Sequence, residues 1–432
     1  MIRRLIPLLV LLLAAAVIIP ILVTGRGEKN REDRFYPYDP TEIEAVDFIY
    51  PDRRLRIEYE NGDWTLTAPL RDLTDRDTLL RIFGTLQSEP KPPMTVLPGD
   101  LDAMGLANPG FQVVLHRGER RDTLRYGSFD AESRRLYVQA SWSDSIMRVS
   151  SLLRTNFMRN RYELSEKRPI VLEQGRPVRS IQLSNPSGEF ALRKADIGWE
   201  MVGIDIFPAD PAKVRDLTHA VSTPAILDFL DGDELALADL ETPLARMKIL
   251  QEGDSRPREL RIGPAYLNLH TAASPARSSA FLLDSLSVGA AFLPMRDFLP
   301  ERLFEILPAN VVRLSGRDWS LEQVGEGAVV WVDQRGEQWE IREVSRMIAF
   351  LAEISTRDVE SMLPRADQLR GWGLDPPEEE IRFLERGREL VLQFGVAREG
   401  RRYFRREDYP VIYSLPEDEL RFAWPGSGQQ EH

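Results

Sequence analysis

A chain of 432 residues is long enough for about three domains at roughly 150 residues each, and 43% hydrophobic with 29% charged residues is the composition of a folded protein. A net charge of −12 repels phosphate backbones and argues against nucleic acid as a partner. The absence of cysteine excludes disulfides, thiolate nucleophiles, cysteine metal sites and a lipid-modified cysteine anchor.

Four residues, 1–4, precede an uninterrupted apolar run from Leu5 to Val23. At about 1.5 Å per residue the run spans roughly 28 Å, close to a ~30 Å hydrocarbon core. The apolar core of a cleaved signal peptide is usually only about 7–15 residues, so residues 5–23 are expected to be an uncleaved transmembrane signal anchor in the lipid bilayer. So short a leading segment stays in the cytoplasm, and a large following portion crosses largely regardless of Arg26, Lys29, Arg31 and Arg34. The bulk of the chain is therefore expected outside the cytoplasm. Residues 24–42 read as a juxtamembrane linker, with Tyr36 and Tyr38 either at headgroup level or simply linker aromatics.

Beyond the linker, one pattern occurs three times, over residues 43–172, 173–308 and 309–424, followed by a tail at 425–432 expected to be disordered. The first unit opens with alternating runs at Val46–Tyr50, Leu55–Tyr59 and Trp64–Thr67, with Asn61-Gly62 as a two-residue hairpin turn. A helix is expected over residues 75–86 with Leu79, Phe83 and Leu86 on one face, then a turn at Met104-Gly105-Leu106 stopped by Pro109. Further strands follow at Leu136–Ala140 and Ile146–Val149, and a closing helix near Leu152–Met158. The second unit re-enters at Val178 and places Asp210-Pro211 as a helix start; the third re-enters at Val311 and spaces Val344, Met347, Ile348 and Leu351 helically.

Four sets of landmarks keep this period. Gly118, Gly253 and Gly387 recur at steps of 135 and 134 residues, and are expected to supply positive φ at hairpin turns. Gly127, Gly263 and Gly395 follow them along the next strand. Trp64, Trp199 and Trp331 occupy the third strand of each unit, where core packing between sheet and helix is expected. Pro109, Pro243 and Pro376 mark the stop before the central hairpin. Runs of adjacent strands with occasional helices predict an α+β class with antiparallel sheets.

No known chemistry emerges from motifs. There is no P-loop, no G-x-S-x-G elbow and no complete dinucleotide loop. His116, His219, His270 and His432 form no H-x-x-x-H pair. Asp228, Asp231, Asp233 and Glu234 lack the glycine position of a calcium loop and read as a solvated loop. Glu378–Glu380 is expected to discourage edge pairing, and Arg401–Arg406 to be a strand end. No catalytic, cofactor or metal site is expected.

At Gly373-Leu-Asp-Pro-Pro377, the tryptophan-bearing third strands and the Phe394-Gly395 strand end, the chain resembles the bacterial domain of unknown function 4340 family. The second unit departs from the pattern, since its Gly-Leu pair is missing. The resemblance implies a membrane-anchored protein of the bacterial inner membrane, facing the periplasm. It also implies association with the permease and ATPase subunits of ABC transporters of the export type related to gliding motility. On that basis a non-enzymatic binding or scaffold role is expected. An envelope-acting enzyme with a site between repeats, and a carrier of lipid or another apolar ligand, are the alternatives.

Overall fold

Two-residue alternation makes the strands. Phe111, Val113 and Leu115 are buried along Phe111–Arg117, and Ala245, Met247 and Ile249 along Ala245–Gln251, while the residues between them are more exposed. The computed structural model describes residues 34–424 except 91–94, 97–100, 132–133, 204, 224, 231–239, 305, 326–329, 355 and 357.

The first sheet contains β1 (Ala45–Ile49), β2 (Arg54–Glu60), β3 (Asp63–Ala68), β4 (Asp72–Leu73), β5 (Thr95–Val96), β6 (Phe111–Arg117), β7 (Arg120–Asp130), β8 (Arg135–Ala140) and β9 (Ile146–Val149). The second contains β10 (Val178–Asn185), β11 (Gly188–Lys194), β12 (Trp199–Val202), β13 (Ile206–Ala209), β14 (Asp228–Leu230), β15 (Ala245–Gln251), β16 (Arg258–Tyr266), β17 (Leu269–Ala273) and β18 (Ala280–Asp284). The third contains β19 (Val311–Ser315), β20 (Ser320–Val324), β21 (Val330–Asp333), β22 (Gln338–Trp339), β23 (Val359–Ser361), β24 (Glu379–Glu385), β25 (Arg388–Arg398), β26 (Arg401–Arg406) and β27 (Ile412–Pro416).

Counted within each sheet, the spatial order is 4-3-2-1-6-7-8-9-5 all three times. Every pairing with a described register is antiparallel, for example Phe48 opposite Val113 and Leu314 opposite Phe383. Strand 4 lies at one edge and strand 5 at the other, so the segment between them crosses the sheet. It carries the helix Arg76–Ser88, Pro211–Ser222 or Ile341–Glu353. The last of these buries Val344, Met347, Ile348 and Leu351, as its spacing predicts. Asn61 and Gly62 both adopt positive φ, the type I′ geometry that matches strand twist between β2 and β3.

The described residues form two compact units. Among them, one draws on residues 34–171, 221–244 and 258–288, the other on residues 172–220, 245–257 and 289–424. In the first, Val46, Phe48, Ile57 and Phe111 of the sheet pack with Ile82 and Leu86 of the helix Arg76–Ser88 and with Phe157. In the second, Phe304 packs edge-on to Phe383 at 4.8 Å, and Phe394 and Phe404 are fully buried.

Several expectations change. One helix of 12 or 13 residues per repeat against nine strands makes the class mostly β rather than evenly α+β. Phe35 and Tyr36, expected in a linker, are buried in the first core beside Trp142, and the Tyr36 hydroxyl donates to Asp122 at 2.9 Å. Two aromatic rings that find a pocket and a carboxylate partner leave solvent even though their flanks are polar. Glu379 and Glu380 lie in β24, an interior strand, so they protect no edge. The apolar run at 5–23, the linker as far as residue 33, Asp231, Asp233, Glu234 and the tail at 425–432 lie outside the described residues. Among the described residues no helix is long and apolar enough to cross a membrane.

Candidate functional site

The sequence landmarks are structural parts. Gly118, Gly253 and Gly387 have φ of +55°, +81° and +84° at their turns, a region that favours glycine. Gly127, Gly263 and Gly395 each sit where the register of their strand slips, between Tyr126 and Phe129, Ile262 and Ala265, and Phe394 and Ala397. At Gly127 an added Cβ would lie 2.3 Å from the Met104 carbonyl oxygen, and at Gly395 1.9 Å from that of Trp372. Those two carbonyls accept hydrogen bonds from Ser128 and Val396, both at 2.8 Å. Leu106 and Leu374 then bury completely beneath the bulge. Counted from these leucines, Pro377 rather than Pro376 holds the place of Pro109. In the second repeat Pro243 precedes β15 without the Gly-Leu clamp, and the Gly263 carbonyl instead accepts from His270 Nδ1 at 2.9 Å.

The tryptophans diverge. Trp331 is 4% exposed in the third core, and Trp64 packs its ring 5.0 Å from helical Phe83. Trp199 is only half-buried, with the Lys194 ammonium 5.7 Å from its ring. His116 lies 2.8 Å from buried Asp47, which also accepts from Arg54 and Arg56. The basic run is a whole strand, β26, with internal partners: Arg402 donates to the Gly395 carbonyl, Arg405 to Gln393 and Arg406 to Asp408.

Two places gather charge that the sequence does not advertise. In the first unit, Arg277 and Asp72 form an ion pair at 2.7 Å with both side chains wholly buried. Arg277 also donates to the carbonyls of Glu166 and Arg168 at 2.8 and 3.0 Å. Ser279 Oγ lies 3.4 Å from Asp72, and Arg161 3.8 Å. Burial pulls the guanidinium of Arg277 below its ordinary value against the opposing effect of Asp72, and burial likewise lowers Arg161 and Lys167. A cluster buried in this way positions chain segments.

In the second unit an open cleft of about 670 Å³ runs beside edge strand β23. Its charged lining includes Lys213, Arg296, Glu301, Asp358, Glu360 and Arg401. Lys213 reaches Glu301 at 3.6 Å, Arg401 pairs with Asp358, and Glu360 accepts from Ser414 at 2.6 Å. The matching place in the first unit holds an aromatic pair. Tyr162 and Arg296 each stand two residues before the carbonyl, Leu164 or Phe298, that accepts from the helix-capping aspartate. Phe229 and Glu360 are the middle residues of the fifth strands. The Tyr162 ring lies 6.0 Å from that of Phe229, tilted by 58°, and its hydroxyl donates to the Ile226 carbonyl at 3.0 Å. Replacing that aromatic pair by arginine and glutamate, whose charged heads remain hydrated, leaves the cleft open. No sequence pattern marks either place, because each joins residues from different repeats.

No curated protein and no solved structure matches this chain. A family model does match, beginning in β3 and ending just ahead of β15, across the boundary between the first two sheets. The match covers residues 64–243, and the family is described as Domain of unknown function (DUF4340).

Proposed function

We propose that this chain is a scaffold anchored in the bacterial inner membrane through residues 5–23, exposing its three sheets on the periplasmic or extracytoplasmic side. Its partners are the permease and ATPase subunits of an export-type ABC transporter, which supply the transport chemistry. The open, charged cleft beside β23 carries this reading. It is lined by both signs of charge next to a strand at a sheet edge, a surface suited to a polypeptide. Its polar walls are a poor fit for a lipid or another apolar ligand. Its Asp358 and Glu360 carboxylates are held by Arg401 and Ser414 rather than facing each other as an acid/base pair.

The test is affinity recovery from gently solubilised native membranes with the full-length chain as bait. Permease and ATPase should co-purify in fixed ratio. The charge reversals Arg296→Glu and Glu360→Lys, both on the cleft wall, should lower that recovery several-fold while circular dichroism stays unchanged. Recovery of folded bait alone would overturn the transporter assignment. Full recovery with both reversals would move the contact away from the cleft.

A further inference from the structure

Each sheet carries the same two joining parts. One is the acceptor, the residue three positions before the helix-capping acid. Asp72 precedes Asp75 and Phe207 precedes Asp210 by this spacing. Asp75 and Asp210 cap their helices through Thr78 and Ala212, and their own N–H groups donate to Leu164 and Phe298 at 2.7 and 2.8 Å. The other part is the donor, a turn residue three positions before the ninth strand. Arg277 precedes Ala280 and Tyr409 precedes Ile412 by this spacing, and each closes the same turn. Arg277 N donates to Ser274 at 3.0 Å, and Tyr409 N to Arg406 at 3.1 Å.

The geometry is shared, but the chemistry is not. Asp72 receives Arg277 as a buried ion pair at 2.7 Å. Phe207 receives Tyr409 edge-on, with ring centroids 6.2 Å apart and planes at 72°. A crossed pairing would set Tyr409 on Asp72 and leave a fully buried carboxylate without its hydrogen-bonded cation, with Arg161 3.8 Å away. It would also carry Arg277 away from the Glu166 and Arg168 carbonyls that hold it. Rejection of the wrong neighbour therefore comes from an unpaired buried charge, a penalty larger than the gain from the matched pair.

We propose that the Asp72–Arg277 and Phe207–Tyr409 contacts are mismatched keys that fix which sheet follows which during folding, within one chain and between chains. Tandem units of like structure misassemble by exchanging equivalent elements, so a repeat protein gains from making equivalent contacts chemically unlike. At the unmatched ends the corresponding residues are Ser143, whose N–H closes the same turn to Ala140 at 3.1 Å, and exposed Glu337. Neither reproduces an ion pair or an aromatic contact with the other. The inference is independent of the transporter reading.

The test copies one key onto both contacts in the full-length chain. Asp72→Phe with Arg277→Tyr makes the first contact aromatic, and Phe207→Asp with Tyr409→Arg makes the second ionic. Ser278 N donates to the Arg71 carbonyl at 3.0 Å, so Arg71→Cys with Ser278→Cys reports on the first contact in a chain with no other cysteine. After unfolding and oxidative refolding, native keys should give the cross-link within one chain. Either copied key should raise the fraction of disulfide dimers several-fold. Gly127→Ala, which destabilises the first unit through the Met104 carbonyl but leaves both keys intact, should give few dimers. Copied keys that cross-link within one chain as completely as native keys would overturn the proposal. So would dimers equally abundant in Gly127→Ala, since simple destabilisation would then account for them.

Discussion

Arg277 donates to Asp72 at 2.7 Å across 205 residues of chain, with both side chains shut away from water. Breaking this pair from one side strands a charge. Arg277→Met is expected to cost about 3–5 kcal/mol. The double change Asp72→Leu with Arg277→Met is expected to recover most of that loss, because the desolvation cost disappears with the charges. Urea unfolding of the two single variants and the double variant measures the coupling. Additive losses would mean that the two groups do not act as a pair.

The bulge glycines set a second, graded expectation. A methyl group at Gly395 or Gly127 collides with a backbone carbonyl, at 1.9 and 2.3 Å. Alanine at either position is expected to destabilise by about 2–4 kcal/mol, more at Gly395. Gly84, inside the helix Arg76–Ser88, has nothing within 4 Å of an added Cβ, and Gly84→Ala should stabilise by about 0.5–1 kcal/mol. Thermal unfolding of the three variants decides the order.

Asp47 provides the acid limb. Burial raises its carboxyl, but hydrogen bonds from Arg54 and His116 and the charges of Arg56 and Arg54 outweigh that and hold it below the ordinary carboxylate value. A depressed folded pKa gives stability that is fully present above the unfolded value, about 3.9. That stability is lost as pH falls from there through the folded value. Asp47→Asn is expected to cost about 2 kcal/mol at neutral pH and to flatten the decline below pH ~4. A decline as steep as that of the native chain would place the titrating group elsewhere.

The three repeated tryptophans should not be equal. Trp331, at 4% exposure, is expected to lose about 3–5 kcal/mol on replacement by alanine. Half-buried Trp199, which shields only part of its ring under Lys194, should lose about 1–2 kcal/mol. Denaturant midpoints for the two variants test this ordering.

Much of the architecture is legible without coordinates because its determinants are local. Glycine spacing locates the hairpin turns, since only a residue without Cβ takes those φ values cheaply. Alternation at Phe111–Arg117 locates a half-buried strand, and the spacing of Val344, Met347, Ile348 and Leu351 locates a helix face. The period of about 130 residues then sets the number of sheets. Local signals mislead where a side chain's fate depends on a distant partner. Tyr36 looks like a linker residue until Trp142 and Asp122 enclose it. Arg401–Arg406 reads as a strand end until the whole run forms β26 inside a sheet.

The sequence by itself determined a threefold antiparallel repeat and the glycine turns, because hydrophobic period and φ > 0 are properties of neighbouring residues. Only the tertiary structure decided that Tyr162 meets Phe229 at one place while Arg296 and Glu360 line an open cleft at its counterpart, and that Asp72 meets Arg277 where Phe207 meets Tyr409. Those outcomes turn on desolvation and packing between residues far apart in the chain, and no periodicity encodes them.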